Sequence, residues 1–230
     1  MSVLRGSVSA VLISVLMVGG RAAGQTITSP YRFIEESQSV GAFAGYVTTA
    51  RGTVGLGPQN GAVVGLRYSI RLSGAFNAEA ETAYFPSQRP VRDTSVVNGE
   101  RAQVGEADLT LLVATAALRF NLTGPRTWHG LQPYVAFGAG GVLDLSGTSS
   151  ADELVPADTR FDFGTSFAGL FGGGIELFPS ERLSVRLDAR NYLWKVKTPF
   201  PFLVGESGAL TPEDEWIQNG FITIGLAVRF

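Results

Sequence analysis

The chain has 230 residues, 45% of them hydrophobic and 17% charged, with a formal charge of −2 and no cysteine. The missing cysteines exclude disulfide scaffolds and thiolate metal sites, and the acidic balance gives no support to a nucleic-acid surface. Two lysines, Lys195 and Lys197, stand among the 18 basic residues, so arginine carries nearly all the positive charge.

The first 24 residues read as a signal peptide. A basic start with Arg5 leads into the apolar run GSVSAVLISVLMVGG, followed by small residues at Ala22 and Gly24. That three-part pattern predicts cleavage after Gly24. The run of roughly 15 residues is short for a spanning helix, which needs about 20. Losing Arg5 and Arg21 with it takes the formal charge from −2 to −4. Residues 25–37 are expected to form a periplasmic lead-in.

From residue 38 one style of segment recurs, alternating and rich in glycine or aromatics. Eight are expected as strands: 38–50, 62–71, 74–85, 108–120, 133–146, 164–178, 183–196 and 219–230. Their connections alternate in length. Residues 51–61, 86–107, 147–163 and 197–218 are long, whereas RLSG and PSER are short and TGPRTWHGLQ is intermediate. Alternating lengths put every long loop at one end of an up-and-down sheet, the pattern of transmembrane barrels.

Period two assigns the faces. Val64, Leu66, Tyr68 and Ile70 oppose Arg67, Ser69 and Arg71; Phe76, Ala78, Ala80, Thr82 and Tyr84 oppose Asn77, Glu79 and Glu81. Phe167, Phe171, Ile175 and Leu177 oppose Ser166, Gly172, Gly174 and Glu176; Leu183, Val185, Leu187 and Ala189 oppose Ser184, Arg186, Asp188 and Arg190. In the last segment Ile222, Ile224, Leu226, Val228 and Phe230 oppose Phe221, Thr223, Gly225, Ala227 and Arg229. A soluble lipocalin-like barrel shows the same alternation with the apolar face inside. Arginine in place of lysine favours a closed interior of forked carboxylate pairs. Tyr84, Phe85, Phe120, Trp128, Phe178, Tyr192, Trp194 and Phe230 near segment ends are expected as interfacial girdles. Lipid offers no hydrogen bonds, so such a sheet must close without an edge. The expected fold is all-β: an eight-stranded antiparallel up-and-down transmembrane β-barrel over residues 38–230, with four long extracellular loops. Arg67, Arg71, Glu79, Glu81, Arg119, Glu176, Arg186, Asp188, Arg190 and Arg229 are expected as a lumen charge network.

VGAFAGYV at 40–47, GLRYSIRL at 65–72, PYVAFGAGG at 133–141 and the ending GLAVRF complete the pattern. The chain resembles the small outer-membrane β-barrel proteins of the OmpA/OmpX-like superfamily. The resemblance implies the outer membrane as location and its lipids as partners. It also implies an assembly signal for the barrel-assembly machinery, carried by Ile222, Ile224, Leu226, Val228 and Phe230. It implies architecture rather than activity, and no cofactor.

Catalytic chemistry is thinly represented. The one histidine, His129, falls in an expected periplasmic turn, the wrong face for an outer-leaflet enzyme and short of the partner a Ser-His-acid triad needs. GAGG at 138–141 and GGG at 172–174 lack the Lys-Ser/Thr of a phosphate loop, and glycines in strands serve bends or close packing. Glu79 and Glu81 suit an ion network better than an acid–base pair. Asp152, Glu153, Asp158, Asp162, Glu206, Glu213, Asp214 and Glu215 make two loops acidic, with spacing that matches no recognised calcium loop. The function expected is a non-enzymatic barrel with a charge-plugged lumen that maintains the envelope or displays loops for contact. The alternative is a narrow pore or OmpW-like carrier for small hydrophobic molecules, with Leu109, Leu111 and Val113 lining the outer lumen.

Overall fold

The computed structural model describes residues 29–97, 100–147, 149–204 and 210–230. The expected signal peptide lies outside these residues, as does Glu206. Ten strands are present: β1 (Tyr31–Phe33), β2 (Gln38–Thr49), β3 (Gly61–Ser73), β4 (Phe76–Val97), β5 (Glu100–Asn121), β6 (Arg126–Trp128), β7 (Leu131–Asp144), β8 (Thr165–Leu177), β9 (Leu183–Lys197) and β10 (Asp214–Arg229). Eight of them close a ring, in the order β2-β3-β4-β5-β7-β8-β9-β10 and back to β2, every pair antiparallel. The closing pair runs from Asn219↔Thr49 to Arg229↔Ser39, so every ring strand has two neighbours.

Alternation dictates what each face meets. Ile222, Ile224, Leu226, Val228 and Phe230 are exposed on the outer wall, as are Leu66, Phe137, Phe171 and Leu187. The residues that alternate with them along β10 point into the ring, where Phe221, Thr223 and Arg229 are buried. An apolar exterior around a partly charged interior is stable only where the surrounding medium is itself apolar.

The structure departs from the sequence reading in three places. Residues 86–107, expected as a loop, are mostly strand: β4 and β5 pair continuously from Phe76↔Phe120 to Val91↔Gly105 and meet again at Val97↔Glu100. This hairpin rises above the ring, where the apolar alternation that marks a lipid-facing strand is no longer required. Second, β10 begins at Asp214, five residues before the expected start. Third, the lead-in and the 123–132 connection are not plain coil. Tyr31–Phe33 pairs with Arg126–Trp128 in a short ribbon at the short-turn end of the ring.

The aromatic girdle is smaller than expected. Tyr84, Trp128 and Phe230 are exposed, but Phe85, Tyr192 and Trp194 are wholly buried in the lumen. Tyr192 and Trp194 share strand parity with Asp188 and Arg190, so the pleat that turns those charges inward turns the rings inward too.

Candidate functional site: the barrel lumen

The mid-lumen is filled by side chains from five strands. Glu79 and Glu81 come from β4, Arg67 from β3, Arg119 from β5, Glu176 from β8, and Arg186, Asp188 and Arg190 from β9. All eight are buried. Arg67 reaches Glu81 at 2.6 Å and crosses to Asp188 at 2.8 Å. Arg186 and Arg190 each hold Glu79 at 2.7 Å. Arg119 pairs with Glu176 at 2.5 Å, and Arg190 also contacts Glu81 at 3.3 Å and Asp188 at 3.1 Å. Four guanidinium groups thus face four carboxylates, and the layer carries no formal net charge. That balance matters because a buried charge without a partner is strongly destabilising.

Two tyrosines complete the layer: Tyr134, absent from the sequence reading, and Tyr192, expected there in the interfacial girdle. The Tyr134 hydroxyl donates to Asp188 and the Tyr192 hydroxyl donates to Glu81. Arg119 stacks on the Tyr134 ring at 3.9 Å. Tyr134 has the inward parity of Gln132 and Ala136 on β7, a signal available in the sequence. Glycine supplies the room these groups need. A Cβ added at Gly174 would lie 2.6 Å from Tyr134 Oη, and one at Gly172 would lie 2.6 Å from Arg190 Cα. Gly172 and Gly174 of the GGG run are thus spaces beside the polar layer, in keeping with close packing in a tight barrel.

Below this layer, toward the short-turn end of the barrel, the lumen turns from charged to amide-rich. Arg119 Nε donates to Asn121 Oδ1 at 2.7 Å, and Asn121 Nδ2 donates to Asn77 Oδ1 at 3.0 Å. Arg119 also donates to Gln132 at 3.1 Å. Arg71 and Arg229, expected within the charge network, are held elsewhere. Arg71 lies four residues below Arg67, about 13 Å along the strand, and makes no ion pair with the layer's carboxylates among the described residues. It donates to the Ile34 carbonyl at 2.7 Å and the Glu36 carbonyl at 2.9 Å. Arg229 donates to the same Glu36 carbonyl at 2.8 Å. The two arginines strap the lead-in across the mouth at the short-turn end.

Above the charged layer the lumen is apolar. Leu109, Leu111 and Val113 are buried there, packed with Val47, Val63, Phe85, Val142, Trp194 and Ile217. Loop residues Leu56, Phe161, Phe163 and Phe202 join the same cluster and roof it. The roof has its own ion pair: Arg89 Nη2 donates to both oxygens of Asp152, at 2.7 and 2.8 Å. Arg89 also lies over Phe161 at 5.4 Å, and Arg101 over Phe202 at 4.5 Å. Asp152, expected only as one of several acidic loop residues, is thus a buried tether. His129 sits at the periplasmic turn with φ of 50°, its ring edge-on to Trp128.

A sheet closed on itself, apolar outside and packed with paired charges inside, defines a transmembrane β-barrel. The chain matches the family model for the outer membrane protein beta-barrel domain over residues 11–230, and it belongs to that family. Its place is the outer membrane. Among solved structures it is similar to the outer membrane protein OprG from Pseudomonas aeruginosa, at 14% identity and a TM-score of 0.53, over 85% of this chain and 97% of that one. It is also similar to Neisserial surface protein A, at 13% identity and a TM-score of 0.51, over 84% of this chain and 97% of that one. At such identities the likeness is one of fold. No curated protein matches the chain.

Proposed function

We propose that this is a closed, non-enzymatic outer-membrane barrel that maintains the envelope and presents its extracellular hairpin and loops for contact. The observation that carries this reading is the neutral layer of four arginines and four carboxylates across the mid-lumen. Opening a path through it would separate buried pairs, at a cost of about 3–5 kcal/mol for each one broken. An eight-stranded barrel has an interior just filled by side chains, and here the apolar cluster and its roof add a second closure. The ending through Ile222, Ile224, Leu226, Val228 and Phe230 serves, on this reading, as the segment recognised by the barrel-assembly machinery.

Planar-bilayer recording tests closure. The purified protein should give little or no steady current, and large, stable open-channel currents would reject the plug. A carrier for small hydrophobic molecules is the second reading, favoured by the apolar outer lumen around Leu109, Leu111 and Val113. It requires the roof to open. Uptake of an apolar dye into proteoliposomes, without ionic current, would select it over the closed barrel.

A further inference from the structure

At the periplasmic end a cavity of about 320 Å³ lies between the β1–β6 ribbon and the β8–β9 turn. Arg32 and Thr127 are register partners, so they share the ribbon face that looks into it. Ile34 and Thr127 are buried, and Phe178 closes the opposite side. The walls are held in place. Phe178 N–H donates to the Gly130 carbonyl at 2.8 Å, and Arg229 stacks on the Phe178 ring at 4.7 Å. Arg71 and Arg229 fix the Glu36 carbonyl from above. The cavity is therefore built from fixed parts.

Its charges are unlike those of the lumen. Glu35, Glu36 and Glu181 line it against the single cation Arg32. None of these four is ion-paired within the described residues, whereas the eight lumen charges are all paired. Glu35, Glu181 and Arg32 sit at the exposed rim, over a floor of Ile34 and Phe178. Small-molecule sites run from roughly 300 to 1,000 Å³, so this one holds a residue or two of a chain, not a folded partner.

We propose that this cavity binds a short periplasmic peptide that carries both an ammonium and a carboxylate group. The ammonium lies between Glu35 and Glu181, the carboxylate meets Arg32, and the aliphatic stem between them covers Ile34 and Phe178. Two acceptors and one donor around an apolar floor complement that ligand. A phospholipid amine offers the same cation. Leu177 and Leu183, exposed on the apolar belt, are not part of the cavity's lining, however, and this favours a soluble peptide.

The test is calorimetric titration of the folded barrel, residues 25–230 in detergent, with the tripeptide alanyl-lysyl-alanine. Its Nα,Nε-diacetylated form, which has no ammonium, and its C-terminal amide are the two comparison ligands. The free peptide should bind. Acetylation, or the double substitution Glu35→Gln with Glu181→Gln, should weaken binding about tenfold, as two half-exposed ammonium–carboxylate contacts would. The amide should weaken it less, and Arg32→Gln should erase the difference between amide and acid. Both variants lie outside the ring, so their resistance to unfolding in detergent should equal the parent's. No heat at millimolar peptide, or equal binding of the acetylated form, overturns the proposal. Displacement of the peptide by micelles containing phosphatidylethanolamine, but not phosphatidylglycerol, would assign the site to lipid and overturn it too.

Discussion

Replacing Glu79 by alanine isolates the energetics of the lumen layer. Glu79 is 3% exposed and accepts from Arg186 and Arg190 at 2.7 Å, with Arg119 at 3.6 Å. Its removal leaves four arginines facing three carboxylates. Arg119, Arg186 and Arg190 each keep another partner, in Glu176, Asp188 or Glu81. The loss should therefore fall at the usual figure for breaking one buried pair, about 3–5 kcal/mol, not at a multiple of it. Folded domains are stable by about 5–15 kcal/mol in total, so the effect would be conspicuous. Glu79→Gln keeps an acceptor but not the charge and should lose less. Combining Glu79→Met with Arg186→Met leaves three cations and three anions, each with a partner. This pair should recover at least half of the loss, because a buried ion pair exchanged for apolar groups is often close to neutral. The assay is urea unfolding of the detergent-folded barrel, followed by fluorescence of the buried Trp194. If Glu79→Ala came within about 1 kcal/mol of the parent, the layer would not be energetically coupled. The reasoning would fail equally if the methionine pair were no more stable than the single alanine variant.

Other consequences are open to measurement. Glu79→Ala with Glu81→Ala should cost less than the sum of the single changes, because both carboxylates share Arg190. Gly174→Ala should cost about 1–3 kcal/mol by crowding Tyr134, whereas Gly169→Ala, with open space at its Cβ, should stay within about 0.5 kcal/mol of the parent in the same titration. Arg89→Ala strands Asp152 under the roof and should lower the local opening energy by about 3 kcal/mol, read as faster acrylamide quenching of Trp194. Deleting Phe230, which is 59% exposed, removes less than the 1.5–3 kcal/mol or so of a fully buried aromatic. Refolding into detergent should survive that deletion, while the amount assembled in cells falls; equal cellular assembly of deletion and parent would refute the signal role.

The ring strands were legible because lipid on one side and packed charge on the other impose strict alternation on each of them. Where that constraint lapses, the reading lapsed with it. Pro86, Pro90 and the charges at Arg89, Arg92, Asp93 and Glu106 look like a loop, yet β4 and β5 continue through them by backbone pairing and by packing of Val91 and Ala107 on Val155. The ribbon of Tyr31–Phe33 with Arg126–Trp128 is too short for any period to register. Within the lumen, charge drew attention to Glu79 or Arg186, but parity was the stronger guide. It would have placed Tyr134, Tyr192 and Trp194 inside, whereas the lead-in carbonyls that draw Arg71 and Arg229 out of the ion layer leave no periodic trace in the sequence. The Arg89–Asp152 tether joins residues 63 apart, and nothing local in the sequence connects them.

The charged layer also acts as an error check on assembly. A strand that slips by one residue turns its whole inward set outward. For β3, β4, β5, β8 or β9 that would carry an arginine or a carboxylate onto the lipid face, and a midplane arginine there costs roughly 2–4 kcal/mol. Misaligned versions of these five strands are thus penalised before the barrel closes. β2 and β10 contribute no charge at mid-height; their inward positions there are Gly41, Phe43, Thr223 and Gly225. The joint between the first and last ring strands is thus the one least able to detect its own misalignment. It is aligned by proxy: β3 sets β2, β9 sets β10, and the correct closing pair is the one those two already-checked strands present.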